Sequence, residues 1–174
     1  MTETQDELRI ASSVWNLRYE VKPSDLLTIR KIVESTGFFH SYEVDIAVEL
    51  VDERLRRGNS SGYHFIIAEN DSSAGGYVCF GEIACTSGSY DVYWIAVTKE
   101  FQGCGLGRAL MKLTEERIAA SGGRRIYLET SGRTDYLPTR RFYERCSYDK
   151  AAELPDFYAE NDSKVIYVKA IRKT

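Results

Sequence analysis

Between the aromatic and β-branched run YDVYWIAV (residues 90–97) and the helix-forming run that starts near Leu106 lies FQGCGLGRALM, with three glycines in five positions. A loop of this kind between a strand and a helix defines the middle of a β-α-β unit, closed by the further strand-like run RRIYLETS, and places the unit at residues 91–131. That unit calls for an α/β architecture, because a helical crossover brings its two strands parallel. The loop also exposes backbone N–H groups at the positive end of a helix, which makes it an anion site with a phosphate as the natural ligand. Spacing narrows the motif. Glycines at 103, 105 and 107 followed by Arg108 break the dinucleotide pattern G-x-G-x-x-G at its third position, and no G-K-S or G-K-T follows. From the glycines alone, a phosphate cradle and a turn that merely satisfies backbone geometry stand level.

The rest of the chain supplies the other layers. NLRYEV reads as a first strand, and PSDLLTIRKIVEST as a helix with Leu26, Ile29, Ile32 and Val33 on one face, stopped by Gly37. Ser41 can cap a second helix, with Val44, Ile46, Ala47, Leu50, Val51 and Leu55 inward and Gly58 at its end. GYHFIIAE, GGYVCFGEIAC and YDVYWIAV form a three-strand meander. The helix after the glycine loop spans Leu106 to Ala120, with Leu106, Leu110, Leu113 and Ile118 inward. Asp135 can cap YLPTRRFYERC, where Pro138 falls in the tolerant first turn, and YDKAAEL and KVIYVKAI finish the chain as strands. This order predicts one mixed-sheet α/β domain over 15–174 behind a loose tail, 1–14.

With 174 residues, 43% of them hydrophobic, the chain can bury one real core. A net charge of −3 provides no basic field for nucleic acid. The acidic start MTETQDELRIASSVW lacks a leader pattern, and no run approaches the ~18 apolar residues of a membrane span, so a cytoplasmic protein without a membrane partner is expected. Cys79, Cys85, Cys104 and Cys146 show no C-x-x-C, and His40 and His64 read as structural, so neither a metal nor a disulfide framework is expected.

Gln102, Gly105 and Gly107 match the [Q/R]-x-x-G-x-[G/A] acyl-CoA signature, and together with YWIAV before it and RRFYERCSY after it they make the chain resemble the GNAT superfamily of N-acetyltransferases over about residues 17–171. More narrowly, STGFF, AVELVDE and PTRRFYERCSY are similar to a subfamily of small bacterial members. The resemblance implies the GNAT fold, an α/β architecture with a central mixed, splayed sheet of six to seven strands and about four helices. It implies acetyl-CoA as co-substrate, a primary amine as acceptor on a small molecule, peptide or protein, direct attack in a ternary complex, and no metal. A homodimer is compatible with it. By the same resemblance the amides of Gly103, Cys104, Gly105, Leu106, Gly107 and Arg108 cradle the pyrophosphate, Ile95 and Val97 hold the pantetheine arm, and Thr139 and Phe142 complete the CoA contacts. Tyr136 and Thr139 stand where the family often has Asn and Ala, and Cys146-Ser147-Tyr148 replaces Leu-Gly-Phe, so Ser147 must take a turn suited to glycine.

Three acids compete for the general base. Asp91 shares a strand face with Tyr93, Ile95 and Val97 and matches the base position of one family branch, while Glu129 and Glu82 are its rivals; a plain turn aspartate is the bland alternative. A base matters because a lysine-like amine, with a pKa near 10.4, costs about 4.6 kcal/mol to deprotonate at pH 7. Tyr143, in the F-Y-E-R context, corresponds to the family tyrosine that hydrogen-bonds the departing thiolate; its alternative is a core tyrosine. The acids Glu43, Glu49, Asp52 and Glu53 form a solvated helix face able to draw a cationic amine. A module of the same fold that binds CoA without turnover, and a nucleotide-binding protein, are the competing readings of the whole chain.

Overall fold

The computed structural model describes residues 6–10, 13–71 and 73–171. Its strands are β1 (Asp6–Ile10), β2 (Ser13–Arg18), β3 (His64–Glu69), β4 (Ala74–Glu82), β5 (Ser89–Val97), β6 (Arg125–Ser131), β7 (Asp149–Ala159) and β8 (Asp162–Ala170). The α-helices are α1 (Asp25–Thr36), α2 (Ser41–Arg57), α3 (Leu106–Ala120) and α4 (Leu137–Arg145). Antiparallel pairs together with the parallel pair β5–β6 make the architecture mixed α/β. Two compact units divide the chain, Met1–Gly81 with Trp94–Thr114 and Glu82–Tyr93 with Glu115–Thr174. Their boundaries fall at the last residue of β4, within β5 and within α3.

In the first unit β1, β2, β3 and β4 follow one another as antiparallel neighbours. The helices α1 and α2 lay Ile29, Ile32, Val33, Val44, Ala47 and Val51 against Phe65, Ile67, Tyr77 and Cys79 of β3 and β4, a continuous apolar core. At the head of α1, Asp25 is fully buried and takes both prongs of Arg18 at 2.7 and 2.9 Å, while Arg18 also reaches Glu69 at 2.9 and 3.0 Å. The two carboxylates raise the Arg18 pKa against the desolvation that would lower it, so this charge locks β2, α1 and β3 together. Gly37 ends α1 in the left-handed region at φ 72°, as its position predicts.

Several details differ from the sequence expectation. Residues 6–10 of the supposed tail form β1, paired with β2 from Asp6↔Leu17 to Ile10↔Ser13; a short, charged run gains strand structure once β2 offers it an edge. Residues 1–5 and 11–12 of that tail lie outside the described residues. The strand read at NLRYEV starts earlier, at Ser13, and stops at Arg18. His40, not Ser41, precedes the first turn of α2: it is extended, and its N–H donates to the Glu43 carboxylate at 2.8 Å. Ile46 is 46% exposed, because at roughly 100° per residue it lies about 200° round the helix from Val44.

In the second unit the strand order is β5-β6-β8-β7. The parallel ladder runs from Ser89↔Arg125 to Val92↔Leu128 and stops short of the ends of both strands. Strand β7 continues to Ala159, past the expected YDKAAEL, because its pairing with β8 resumes at Ala159↔Asp162 after an irregular stretch. Asp135 does not cap α4. Its carboxylate is held by Arg133 at 2.9 and 3.2 Å, and the helix is entered through a tight turn at Thr134–Tyr136 with Pro138 in the first turn. The other end is closed by Ser147 at φ 64°, where Tyr148 N–H reaches back to the Tyr143 carbonyl at 3.1 Å. A serine thus takes the left-handed cap that glycine adopts more cheaply. Along α3, Leu106, Leu110 and Ile118 are buried as expected, with Met111 and Thr114 beside them, while Leu113 is half-buried.

Candidate active site

The first unit builds the glycine loop from the end of β5. Thr98 anchors it: its N–H donates to the Gly75 carbonyl at 2.9 Å and its hydroxyl to the Ala74 carbonyl at 3.1 Å. A tight turn over Lys99–Phe101 follows, and the Phe101 ring meets Trp15 edge-on at 4.8 Å. Gln102 then folds back so that its Nε2 donates to the Val97 carbonyl at 3.1 Å, tying the loop to the strand it leaves. The chain next passes through left-handed residues, Gly103 at φ 80° and Gly105 at φ 97°, which a side chain would strain. The third glycine, Gly107, sits within the helix that begins at Leu106.

The first helical bond, from Ala109 N–H to the Gly105 carbonyl at 3.1 Å, leaves the amides of Leu106, Gly107 and Arg108 ahead of it at the positive end of α3. Arg108 is exposed beside them. Two side chains of the loop serve the fold: Leu106 is fully buried, and the Cys104 thiol donates to the Phe101 carbonyl at 2.9 Å. Their place in a ligand contact is therefore a backbone one. Ile95 and Val97 are half-buried on β5, and Gly76 of β4 lies so close that a Cβ there would stand 2.8 Å from the Ala96 carbonyl oxygen.

The second unit gathers the acids. Asp91 stands opposite Tyr127 in the β5–β6 ladder, and Glu129, two residues further along β6, shares that face. From β8, Lys164 brings its Nζ to 2.6 Å from the Glu129 carboxylate. Burial raises the Asp91 pKa, the Glu129 charge raises it further, and Lys164 partly opposes both. Glu82 is exposed and acts on Tyr90, which alternation puts on the other strand face, so the structure pairs Asp91 with Glu129 and not with Glu82. We expect carbon-detected NMR titration to place the Asp91 midpoint above the ordinary ~3.9. Glu129→Gln should lower it by removing the repulsion and Lys164→Met should raise it; a midpoint unmoved by either would refute this coupling.

On α4, Thr139, Phe142 and Tyr143 fall at i, i+3 and i+4 and so share one helix face. Tyr143 is 6% exposed, its ring 5.7 Å from both Phe142 and Tyr167. Desolvation first, with neighbouring Cys146, Tyr136 and Tyr167 after it, pushes its hydroxyl well above the usual tyrosine range, so it is a proton holder at neutral pH. Tyr136, in the place of the family's frequent Asn, is buried under the Arg133 guanidinium at 5.3 Å.

Sequence reasoning missed Lys164. Its pairing depends on β8 lying beside β6, and no local spacing announces that neighbour. It also missed the anchoring of the loop by Thr98 on Gly75. Among the described residues no three His, Cys, Asp or Glu side chains are grouped to hold a metal ion, the four cysteines are free thiols, and no helix is long and apolar enough to cross a membrane.

Comparison with known proteins bears on this arrangement. The model of the acetyltransferase (GNAT) family matches residues 28–148. A solved structure from Desulfovibrio desulfuricans assigned to the GNAT family is 47% identical, covers 90% of this chain and 98% of its own, and superposes with a TM-score of 0.88. An aminoglycoside 6'-N-acetyltransferase complexed with coenzyme A shares the fold at a TM-score of 0.69 and 15% identity, over 90% of this chain and 97% of its own. An uncharacterized N-acetyltransferase of Methanocaldococcus jannaschii is 30% identical over 105 residues, 60% of this chain, and the match spans 65% of the length of that relative. With the family match extending from α1 to the end of α4, across the glycine loop, this chain belongs to the acetyltransferase (GNAT) family.

Proposed function

We propose that the protein moves an acetyl group from acetyl-CoA to a primary amine by direct attack. The observation that carries this reading is the loop from Gln102 to Arg108: a glutamine clip onto β5, two left-handed glycines, and helix-leading amides at the positive end of α3. A Cβ on Gly103 would meet no protein atom within 4 Å, so the constraint there is the backbone turn itself. Backbone donors of this kind fit a diphosphate, each charge-assisted bond contributing roughly 1.5–3 kcal/mol. The CoA-complexed relative of the same fold supports the choice of ligand.

In this reading the amides of Gly103 to Arg108 hold the pyrophosphate, and Ile95 and Val97 on β5 align the pantetheine arm, with Thr139 and Phe142 beside it. The nitrogen lone pair attacks the thioester carbonyl; the N–C bond forms, the C–S bond breaks, and the amine proton passes to a carboxylate. Asp91 suits that task better than Glu129, because burial and the neighbouring Glu129 charge hold Asp91 at a raised affinity for protons. Tyr143 donates a hydrogen bond to the departing sulfur. A thiol has a pKa of about 8.5, so full proton transfer from a tyrosine would run uphill by at least about 2 kcal/mol, and donation is sufficient.

Thermal denaturation tests the ligand directly. Acetyl-CoA at 100 times its Kd should add about 2.7 kcal/mol, a shift of several degrees for a chain of this length. A shift with ATP or NAD but with no CoA ester would overturn the proposal, and a shift without CoA release on any amine would mark a binding module.

A further inference from the structure

The sheet of the second unit has two unlike faces. Tyr90, Val92, Ile126, Leu128, Val165 and Tyr167 alternate onto a buried face. The registers Asp91↔Tyr127, Glu129↔Ile166, Ser131↔Lys164 and Leu154↔Lys164 put the intervening residues on the other. That second face stays half-open, with Tyr93 39% and Leu154 42% exposed. Near its centre stand two carboxylates, Asp91 and Glu129, and one ammonium.

That ammonium is held in a specific way. Lys164 Nζ lies 2.6 Å from a Glu129 oxygen, 3.9 Å from the centroid of the Phe157 ring and 5.9 Å from that of Tyr158. A carboxylate on one side and an aromatic face on another is how a primary ammonium is gripped, and the group gripped here sits on a lysine stem. Beyond it, Leu154, Phe157 and Tyr158 remain exposed on β7, the outermost strand of this unit's order.

We propose that Glu129 and Phe157 form the ammonium subsite for the acceptor, that the acceptor is a lysine side chain of a peptide lying along β7, and that Lys164 is a resident competitor it displaces. This rests on the acetyl-transfer reading above. Lys164 then acts as an affinity filter: an acceptor must offer an ammonium and enough peptide contact to replace a tethered one. Neutral or poorly seated amines leave Lys164 in place, and the acceptor's proton is drawn off beside Asp91 once its ammonium is seated.

The test is steady-state CoA release from acetyl-CoA with three probes: the blocked peptide acetyl-Gly-Lys-Gly-amide, cadaverine, and Gly-Lys(acetyl)-Gly-amide, which offers only an α-amine. The wild-type protein should show its lowest KM with the lysine peptide. Lys164→Met should lower that KM about 5-fold, whereas Glu129→Gln and Phe157→Leu should raise it about 10-fold and 3-fold, with kcat changing less than KM in each. A lysine-peptide KM unmoved by both Glu129→Gln and Phe157→Leu, or a lower KM for cadaverine or for the α-amine, would overturn the inference. If Lys164→Met fails to fold, the other variants carry the same decision, each checked for the acetyl-CoA thermal shift. Failure of the wild-type protein to release CoA with every amine would instead overturn the acetyl-transfer reading beneath it.

Discussion

Tyr143→Phe should lower kcat about 100-fold, the low end of what a hydrogen bond to developing negative charge contributes, and leave the acetyl-CoA thermal shift unchanged. The substitution removes only a hydroxyl. The ring that packs against Phe142 and Tyr167 at 5.7 Å stays, so the fold has no reason to respond. Burial keeps this hydroxyl protonated well past neutral pH, which makes it a donor throughout the working range and predicts no activity limb from its own ionisation below about pH 10. An unchanged kcat would reduce Tyr143 to a core aromatic; a lost thermal shift would move its role from the thioester to cofactor binding. The two readouts separate because sulfur departure belongs to the transition state and ring packing to the ground state.

Gly75→Ala should cost about 3 kcal/mol of stability, or roughly 6–12 °C in Tm, the effect of forcing a methyl group into a filled core. A Cβ at Gly75 would overlap the ring of the fully buried Trp15 and approach Leu106 to 3.0 Å. Trp15 cannot simply rotate away, because Phe101 packs edge-on against it. The Gly75 carbonyl also accepts the Thr98 N–H that anchors the loop, so the strain is delivered to the candidate cofactor site. Acetyl-CoA affinity should therefore fall along with Tm, and a variant that melts like the wild type would show that this packing has more slack than the geometry implies. No local signal in the sequence marks Gly75: Gly75-Gly76 reads as the start of a strand, and the need for a missing side chain arises from a tryptophan sixty residues earlier.

Much of the framework was legible before any coordinates. The glycine spacing, Gln102 and the helix beginning at Leu106 are contiguous, and contiguous residues can be judged by local rules for turns, dipoles and periodicity. For the same reason Gly37 was readable as the stop of α1, whereas the reading of Ser147 in a glycine-like cap came from the family resemblance. The cap of α2 was also readable in principle: Glu43 stands three residues after His40, the capping-box interval, whereas the same interval from Ser41 lands on Val44. Strand β1 was not, since five charged and apolar residues form a strand only against an edge that something else supplies.

The candidate acids divide along the same line. Alternation along β5 put Asp91 on a face with Tyr93, and a family resemblance matched Asp91 to a general-base position, with Glu129 and Glu82 as its rivals. Strand pairing ranked them. Register brings Glu129 onto the Asp91 face, leaves Glu82 beside Tyr90, and carries Lys164 across from β8 to take up the Glu129 charge. The sequence by itself thus determined a glycine-rich loop at the head of α3, the order of helices and strands after β1, and the residue types the candidate site can draw on, because these follow from neighbours along the chain. Only the tertiary structure decided which carboxylate is compensated, which proton affinity is raised, and where an ammonium is gripped, because electrostatic work depends on distance through space and on exclusion of water.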